Sequence, residues 1–124
     1  MNSEKILTRH ILFLCSQNKL RSPTAEAIFS DLPGLDVDSA GLNNDAVTRL
    51  SPEQFDWAGT ILVMETSHLK RLNQKFREHL KGKKIAVLNI PDDYGYMDED
   101  LIALLSARCR TYIPSFSTEY LTRR

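Results

Sequence analysis

The sequence has few cysteines, no excess of charge of either sign and no long apolar run. Its two cysteines, Cys15 and Cys109, are too few for a disulfide framework and lack any paired metal-ligand spacing. Sixteen Lys and Arg residues balance sixteen Asp and Glu residues, which disfavours nucleic acid and anionic membranes as partners. No apolar run approaches the roughly eighteen residues of a membrane span, and residues 1–9 lack the apolar stretch of a signal peptide. We therefore expect a cytoplasmic protein with reduced thiols.

The length and composition are typical of one globular domain. The chain has 124 residues, of which 42% are apolar and 26% are charged, and it contains no internal repeat or low-complexity tract. We expect a single domain over residues 1–124 that is a monomer or a weak dimer. Its ends, residues 1–8 and 115–124, are expected to be mobile.

Strands and helices alternate along the chain. Short apolar or alternating runs predict four strands, at residues 11–14, 35–39, 60–64 and 84–89. Four helices are predicted, beginning near Ser22, Ser51, Ser67 and Asp98. Ser22 is the predicted N-cap of the first helix, which stops at Pro33-Gly34. Ser67 is the predicted N-cap of one long helix that ends at Gly82. This alternation indicates right-handed crossovers between parallel strands. We expect a three-layer α/β fold, with helices on both faces of a four-stranded parallel sheet in the flavodoxin-like order 2-1-3-4.

The segment after the first predicted strand, residues 15–23, has the sequence CSQNKLRSP and places a cysteine six positions before an arginine. Ligands of open parallel sheets bind beyond the carboxyl ends of the strands. Amides of a tight loop and a helix N-terminus can surround a phosphate monoester, and Arg21 can bind two of its oxygens. The same positive potential favours the nucleophilic thiolate form of Cys15. The segment therefore predicts a phosphate-binding loop with a cysteine nucleophile.

Two further residues of this segment fit that interpretation. Ser22 can donate a hydrogen bond to the thiolate, and Asn18 tolerates the left-handed backbone that such a loop requires. The alternative is that Cys15 is a small core residue at the end of a strand, since free cysteine is often buried. Its position between a buried strand and a helix favours the phosphate-binding loop.

Residues 11–29, with the sequence ILFLCSQNKLRSPTAEAIF, closely resemble the low-molecular-weight protein tyrosine phosphatases, here a short bacterial-type member, and the related thioredoxin-coupled arsenate reductases. Residues 39–41 (SAG) match the end of that family's second strand, and Met64-Glu65 resembles the Met-Asp ending of its third. Residues 91–94 (PDDY) resemble the late loop, usually Asp-Pro-Tyr, that supplies a general acid. The resemblance spans most of the chain in the correct order.

The resemblance implies a role for each matched residue. Cys15 attacks phosphorus to form a cysteinyl phosphate, while Arg21 and the loop amides stabilise the charge of the transition state. Asp92 protonates the leaving oxygen and then activates water, and Asp93 is the alternative acid. Tyr94 is a pocket residue, and no metal or other cofactor is needed. The implied phosphate-binding residues are Ser16, Gln17, Asn18, Lys19, Leu20, Arg21 and Ser22.

The chain departs from the family pattern at three positions. Gln17 replaces the usual loop glycine, and Asp93 replaces the usual proline after the acid. Leu20 replaces the second cysteine that many members carry beside the arginine, which removes a redox partner for Cys15. The segment 43–51 is also shorter than in typical members, so the substrate preference does not transfer from the family.

Other candidate residues fit structural roles better. The histidines lack metal-ligand spacing, and we interpret them as surface or helix positions. The basic stretch between Lys70 and Lys84 is typical of a solvated helix face, and Trp57 is expected in the core. Tyr96 either flanks the pocket with Tyr94 or is a loop residue. The histidines concerned are His10, His68 and His79.

Three functions follow from these observations. The first is a phosphomonoester hydrolase, most specifically a protein tyrosine phosphatase, acting on a phosphorylated protein or a small phosphate ester. The second is an arsenate reductase, which needs further cysteines to resolve its thiol adduct, and only Cys109 is available. The third is a phosphate-binding module that lacks catalysis.

Overall fold

The structure is a computed structural model that describes residues 9–113 of the chain. The ends that were predicted to be mobile lie outside the described residues, so that prediction and the extent of the domain stay predictions. No helix within the described part is long and apolar enough to cross a membrane. The elements in chain order are β1 (Arg9–Cys15), α1 (Arg21–Phe29), β2 (Leu35–Gly41), α2 (Pro52–Trp57), β3 (Thr60–Val63), α3 (Thr66–Lys75), a 3₁₀ helix (Arg77–Leu80), β4 (Lys84–Val87) and α4 (Glu99–Cys109).

The four strands form one parallel sheet in the order β2-β1-β3-β4, which confirms the predicted order. β1 is central and pairs with both β2 and β3, so Ile11 lies opposite Val37 on one side and Thr60 on the other. Residues 11–14 of β1 are fully buried. This burial explains the unbroken apolar run, because a strand covered on both faces has no polar alternation.

Helices cover both faces of the sheet, which confirms the three-layer architecture. Ile11 and Phe13 of β1 face a cluster that contains residues of α1 and α4, and the rings of Phe13 and Phe29 stack at 5.8 Å between centroids. Leu12 and Leu14 face a second cluster, built with residues of α2, α3 and the 3₁₀ helix. The alternating side chains of one strand therefore belong to two separate cores.

The prediction that Ser22 caps the first helix was wrong. The helix begins at Arg21, and its N-cap position is Leu20, which makes no side-chain capping bond. The hydroxyl of Ser22 instead lies 2.9 Å from Sγ of Cys15, so it contacts the cysteine and does not cap the helix. The helix also ends at Phe29, before the predicted stop at Pro33-Gly34.

The single long helix predicted from Ser67 to Gly82 is two helices. α3 begins two residues earlier than predicted, because its N-cap position is Glu65 and not Ser67, and it ends at Lys75. Phe76 leaves the helical conformation, with φ −130° and ψ 23°, and its ring packs 5.1 Å from that of Phe55. The 3₁₀ helix then carries Leu80 into the same apolar cluster. Tertiary packing of these side chains therefore breaks the helical period.

Strand ends also differ from the predictions by a few residues. β2 continues through Ala40 and Gly41, because both residues pair with the end of β1. β3 ends at Val63 and β4 at Val87, and Asn89 already has a φ of 57°. The predicted start of the last helix is confirmed, since the Asp98 carboxylate accepts a hydrogen bond of 2.8 Å from the backbone of Asp100.

Two histidines occupy structural positions, as expected. His10 stacks on Trp57 at 4.7 Å between ring centroids, and the exposed His79 stacks on Phe55 at 5.1 Å. Trp57 is only half-buried, so its assignment to the core was too strong. The third histidine, His68, belongs to the site described below.

Gly41 is required where the end of β2 touches the loop after β1. A Cβ atom at this position would lie 2.7 Å from the carbonyl oxygen of Ser16 and 3.0 Å from the amide nitrogen of Asn18. Both are backbone atoms, which cannot rotate away as a flexible side chain can. The glycine of the SAG segment therefore allows two backbones to approach closely.

We expect Gly41→Ala to lower the free energy of unfolding by about 1–3 kcal/mol, because overpacking forces a backbone shift. Gly59→Ala is the matched control, since its new Cβ would meet only the carbonyl oxygen of His10 at 3.9 Å. Urea unfolding of both variants measures the difference. Equal stability of the two variants would contradict the close approach at Gly41.

Candidate active site

The loop from Cys15 to Arg21 joins the end of the central strand to α1 and is anchored through its carbonyl groups. The carbonyl oxygens of three consecutive residues, Cys15, Ser16 and Gln17, each accept a 3.0 Å hydrogen bond from the backbone of the 42–47 segment. The carbonyls are thereby turned toward that segment. A loop held in this way can present its amide groups to an anion.

Asn18 fixes the turn of this loop. Its φ is 55°, in the left-handed region, and its side chain is 4% exposed. Its Nδ2 donates hydrogen bonds to Oγ of Ser22 at 3.1 Å and to Oγ of Ser39 at 2.9 Å. Ser39 in turn donates to the Glu26 carboxylate at 2.6 Å. The strained backbone is therefore held by a buried side-chain network that reaches β2.

Two donors surround the sulfur of Cys15. The backbone N–H of Asn18 donates to Sγ at 3.3 Å, and Oγ of Ser22 lies at 2.9 Å. Because Ser22 already accepts a hydrogen bond from Asn18, its own proton is available to the sulfur. Both contacts are hydrogen bonds of the kind that a thiolate sulfur can accept.

Arg21 is the one charged side chain of the loop that is buried, with 5% of its side chain exposed. Its Nη1 donates to the Glu65 carboxylate and, at 2.8 Å, to the carbonyl oxygen of Ile90. Its Nε lies 3.7 Å from Oδ1 of Asp92. Residues that follow β3 and β4 therefore hold the guanidinium group beside the loop that follows β1.

These groups surround one cavity. Of the predicted phosphate-binding residues, Asn18 and Ser22 support the loop through the hydrogen bond between their side chains and do not line the cavity. Lys19 is exposed and contributes to the wall. The lining residues are Cys15, Ser16, Gln17, Lys19, Leu20, Arg21 and Asp92.

The two candidate acids occupy different positions. Both are exposed, but Asp92 lines the cavity and approaches Arg21, whereas Asp93 is not among the lining residues. Tyr94 is half-buried against the apolar cluster beneath α1 and α4, and it does not line the cavity either. Tyr96 is 57% exposed. Of the two candidate acids, Asp92 is therefore the one at the cavity.

His68 belongs to the site, although the sequence predicts only a surface or helix position for it. His68 is 1% exposed and lies in the first turn of α3. Its Nδ1 accepts a hydrogen bond of 3.1 Å from the backbone of Glu65, and its Nε2 lies 3.1 Å from Oγ of Ser16. Its position just after a strand end, at the edge that carries the loop, is the signal that could have identified it. Burial and the neighbouring Arg21 lower the pKa of His68 from 6.5 to about 4.

We expect acid to destabilise the protein through His68. Its pKa is about 4 in the folded protein and near 6.5 when unfolded, so the unfolded chain binds more protons below pH 6.5. Stability should fall by up to about 3 kcal/mol as the pH drops from 6.5 to 4, and this contribution should level off at lower pH. Urea unfolding across this range should show a shallower loss for His68→Gln. Parallel curves for the parent and the variant would contradict this assignment.

Among residues 9–113, no group of three or more His, Cys, Asp or Glu side chains is arranged to hold a metal ion. The positive charge at the cavity comes from Arg21 and Lys19, and the backbone amides of the loop add to it. The arrangement can bind an oxyanion, place a sulfur nucleophile against it and deliver a proton from the rim.

Comparison with known proteins agrees with this geometry. Residues 10–56 match the family model described as low molecular weight phosphotyrosine protein phosphatase. A protein-arginine-phosphatase of Geobacillus stearothermophilus is 30% identical over 92 residues, a match that covers 55% of this chain and 62% of that relative. The sequence match therefore spans less than two thirds of the relative's length.

Solved structures extend the similarity over nearly the whole chain. The YwlE arginine phosphatase from Geobacillus stearothermophilus superposes with a TM-score of 0.68 and 25% identity, covering 94% of this chain and 97% of its own. The tyrosine phosphatase Wzb from Escherichia coli K30, in complex with phosphate, gives a TM-score of 0.71 at 21% identity, covering 90% and 100%. In its loop sequence, its sheet order and these matches, the chain is similar to the low-molecular-weight phosphotyrosine protein phosphatases.

Proposed function

We propose that the protein is a phosphatase that hydrolyses phosphorylated substrates through a cysteinyl phosphate. The observation that carries this proposal is the cavity itself, in which Cys15 and Arg21 of one loop meet Asp92 from a distant part of the chain. A nucleophile, a fixed cation and a proton donor are the three groups that the transfer of a phosphoryl group to sulfur requires.

In the first step, the thiolate of Cys15 attacks phosphorus, the S–P bond forms and the bond from phosphorus to the leaving oxygen breaks. The leaving oxygen takes a proton from the carboxyl group of Asp92, which becomes a carboxylate. In the second step, that carboxylate removes a proton from water, and the water oxygen attacks phosphorus. The S–P bond breaks, inorganic phosphate leaves, and both the thiolate and the protonated Asp92 are restored.

Arg21 supplies fixed positive charge throughout both steps. The bonds to Glu65 and Ile90 hold one end of the guanidinium group, so its remaining N–H donors are oriented before a substrate binds. Donors that need no reorganisation stabilise the charge on the transferred oxygens most effectively. A lysine cannot replace the guanidinium group, because its ammonium group is not planar and offers fewer hydrogen-bond donors.

The substrate class that we propose is a phosphorylated protein side chain, with phosphotyrosine first, and a small phosphate ester as the alternative. The similar proteins include both tyrosine and arginine phosphatases, so phosphoarginine is the second side chain to test. A cytoplasmic location, where thiols stay reduced, suits a mechanism that depends on a free Cys15. We expect a monomer or a weak dimer.

Arsenate reduction is the weaker alternative. It would need a second thiol to resolve the adduct on Cys15, and the other cysteine, Cys109, is fully buried in α4. Burial raises the pKa of Cys109 to about 12, so it remains a protonated and unreactive thiol. Leu20, at the position where many relatives carry a second cysteine, removes the nearer candidate.

We expect hydrolysis of p-nitrophenyl phosphate without added metal, abolished by Cys15→Ser and reduced about 10²–10³-fold by Arg21→Lys. Asp92→Ala should reduce the rate about 10²-fold or more, and more strongly for phenyl phosphate, whose poorer leaving group needs protonation. The matched control is Asp93→Ala, which should stay close to the parent. Initial rates with both esters, in the presence of a chelator, measure these effects.

Two outcomes would oppose this proposal. Folded parent protein that binds inorganic phosphate but hydrolyses neither these esters, a phosphotyrosine peptide nor phosphoarginine would be a binding module. A larger loss from Asp93→Ala than from Asp92→Ala would move the acid to the neighbouring position.

A further inference from the structure

A chain of hydrogen bonds runs from the start of α3 to the wall of the cavity. The backbone N–H of Glu65 donates to Nδ1 of His68 at 3.1 Å, and Nε2 of the same ring lies 3.1 Å from Oγ of Ser16. His68 is buried, whereas Ser16 lines the cavity beside Cys15 and Arg21. None of the roles assigned above uses these two hydrogen bonds.

The hydrogen bond between Glu65 and His68 determines which group is the donor in the bond between His68 and Ser16. Nδ1 accepts a hydrogen bond from an amide that can only donate, so the neutral ring carries its proton on Nε2. His68 therefore donates to Ser16, and Oγ of Ser16 accepts. The hydroxyl proton of Ser16 is then available to an acceptor inside the cavity.

The surroundings of His68 keep the ring neutral, as this direction requires. Burial and Arg21 lower its pKa to about 4, and Arg71 acts in the same sense. Glu65 and Asp92 are the carboxylates that oppose this effect. At neutral pH the ring is therefore uncharged, with one donor and one acceptor nitrogen, and both nitrogens are used.

We propose that His68 is a positioning residue, which holds the Ser16 hydroxyl as a hydrogen-bond donor to a phosphoryl oxygen of the substrate. The proposal rests on the proposed function and deepens it. Glu65 then has two roles, because its carboxylate binds Arg21 and its backbone N–H fixes the ring of His68. The start of α3 thus orients two groups at the cavity, the guanidinium of Arg21 and the hydroxyl of Ser16.

Three single variants and one double variant separate this role from a structural one. In His68→Asn, the short amide can still accept from the Glu65 backbone but does not reach Ser16, whereas the longer amide of His68→Gln can donate to Ser16. Ser16→Ala removes the donor itself. The double variant Ser16→Ala/His68→Asn reports whether the two residues act through one hydrogen bond.

The readouts are the inhibition constant of inorganic phosphate and kcat/KM for p-nitrophenyl phosphate at pH 7. We expect Ser16→Ala and His68→Asn each to weaken phosphate binding about ten-fold, since a donor to a charged group is lost. The double variant should be no weaker than Ser16→Ala alone. His68→Gln should recover most of the affinity that His68→Asn loses.

The proposal is overturned if Ser16→Ala binds phosphate as the parent does, or if the two single losses multiply in the double variant. It is also overturned if Asn and Gln at position 68 behave alike. Thermal unfolding checks each variant, and if His68→Asn does not fold, the Ser16→Ala and His68→Gln results decide. Direct binding of inorganic phosphate remains measurable in parent protein without activity, so failure of the proposed function is distinguishable from failure of this proposal.

Discussion

The buried guanidinium group of Arg21 is the constraint on which the site depends. Removing a cation from water costs several kcal/mol unless charged and hydrogen-bonding partners replace the solvent. The Glu65 carboxylate and the carbonyl oxygen of Ile90 provide that replacement, and Asp92 lies close by. These partners follow β3 and β4, so the cation is satisfied only when the strands are correctly assembled.

The parallel order β2-β1-β3-β4 makes this assembly possible. All four strands run in the same direction, and the ends of β1, β3 and β4 lie at one edge of the sheet. The loop after β1 is held from its other side by the 42–47 segment, which follows β2, and by the close approach at Gly41. Residues in or after every strand thus position the loop from Cys15 to Arg21, while only a few side chains line the cavity.

Much of this fold is readable in the sequence because it depends on local patterns. Three features lie within short segments whose structure depends mainly on their own residues: the apolar run of β1, the loop motif beginning at Cys15 and the cap at Asp98. The break at Phe76 was missed because it results from packing against Phe55, which belongs to another helix. Local periodicity carries no information about that contact.

The same distinction explains what could be predicted about the site. The candidate nucleophile and cation share one loop, so their spacing identifies them together. His68 lies 52 residues from Ser16 in the chain, and only the folded sheet edge places them in contact. Likewise, the sequence does not distinguish Asp92 from Asp93, whereas in the structure Asp92 is the aspartate that approaches Arg21. Side-chain roles that depend on distant partners therefore required the structure.

We propose that Cys15 carries the phosphoryl group during turnover. The most direct test is rapid acid quenching of the protein with p-nitrophenyl phosphate, followed by peptide mass spectrometry, using the parent and Asp92→Ala. We expect one added phosphoryl group on the peptide that contains Cys15, more abundant in Asp92→Ala because the activation of water is slowed. Hydrolysis that proceeds in the parent with no such adduct on Cys15 in either protein would rule out Cys15 as the nucleophile.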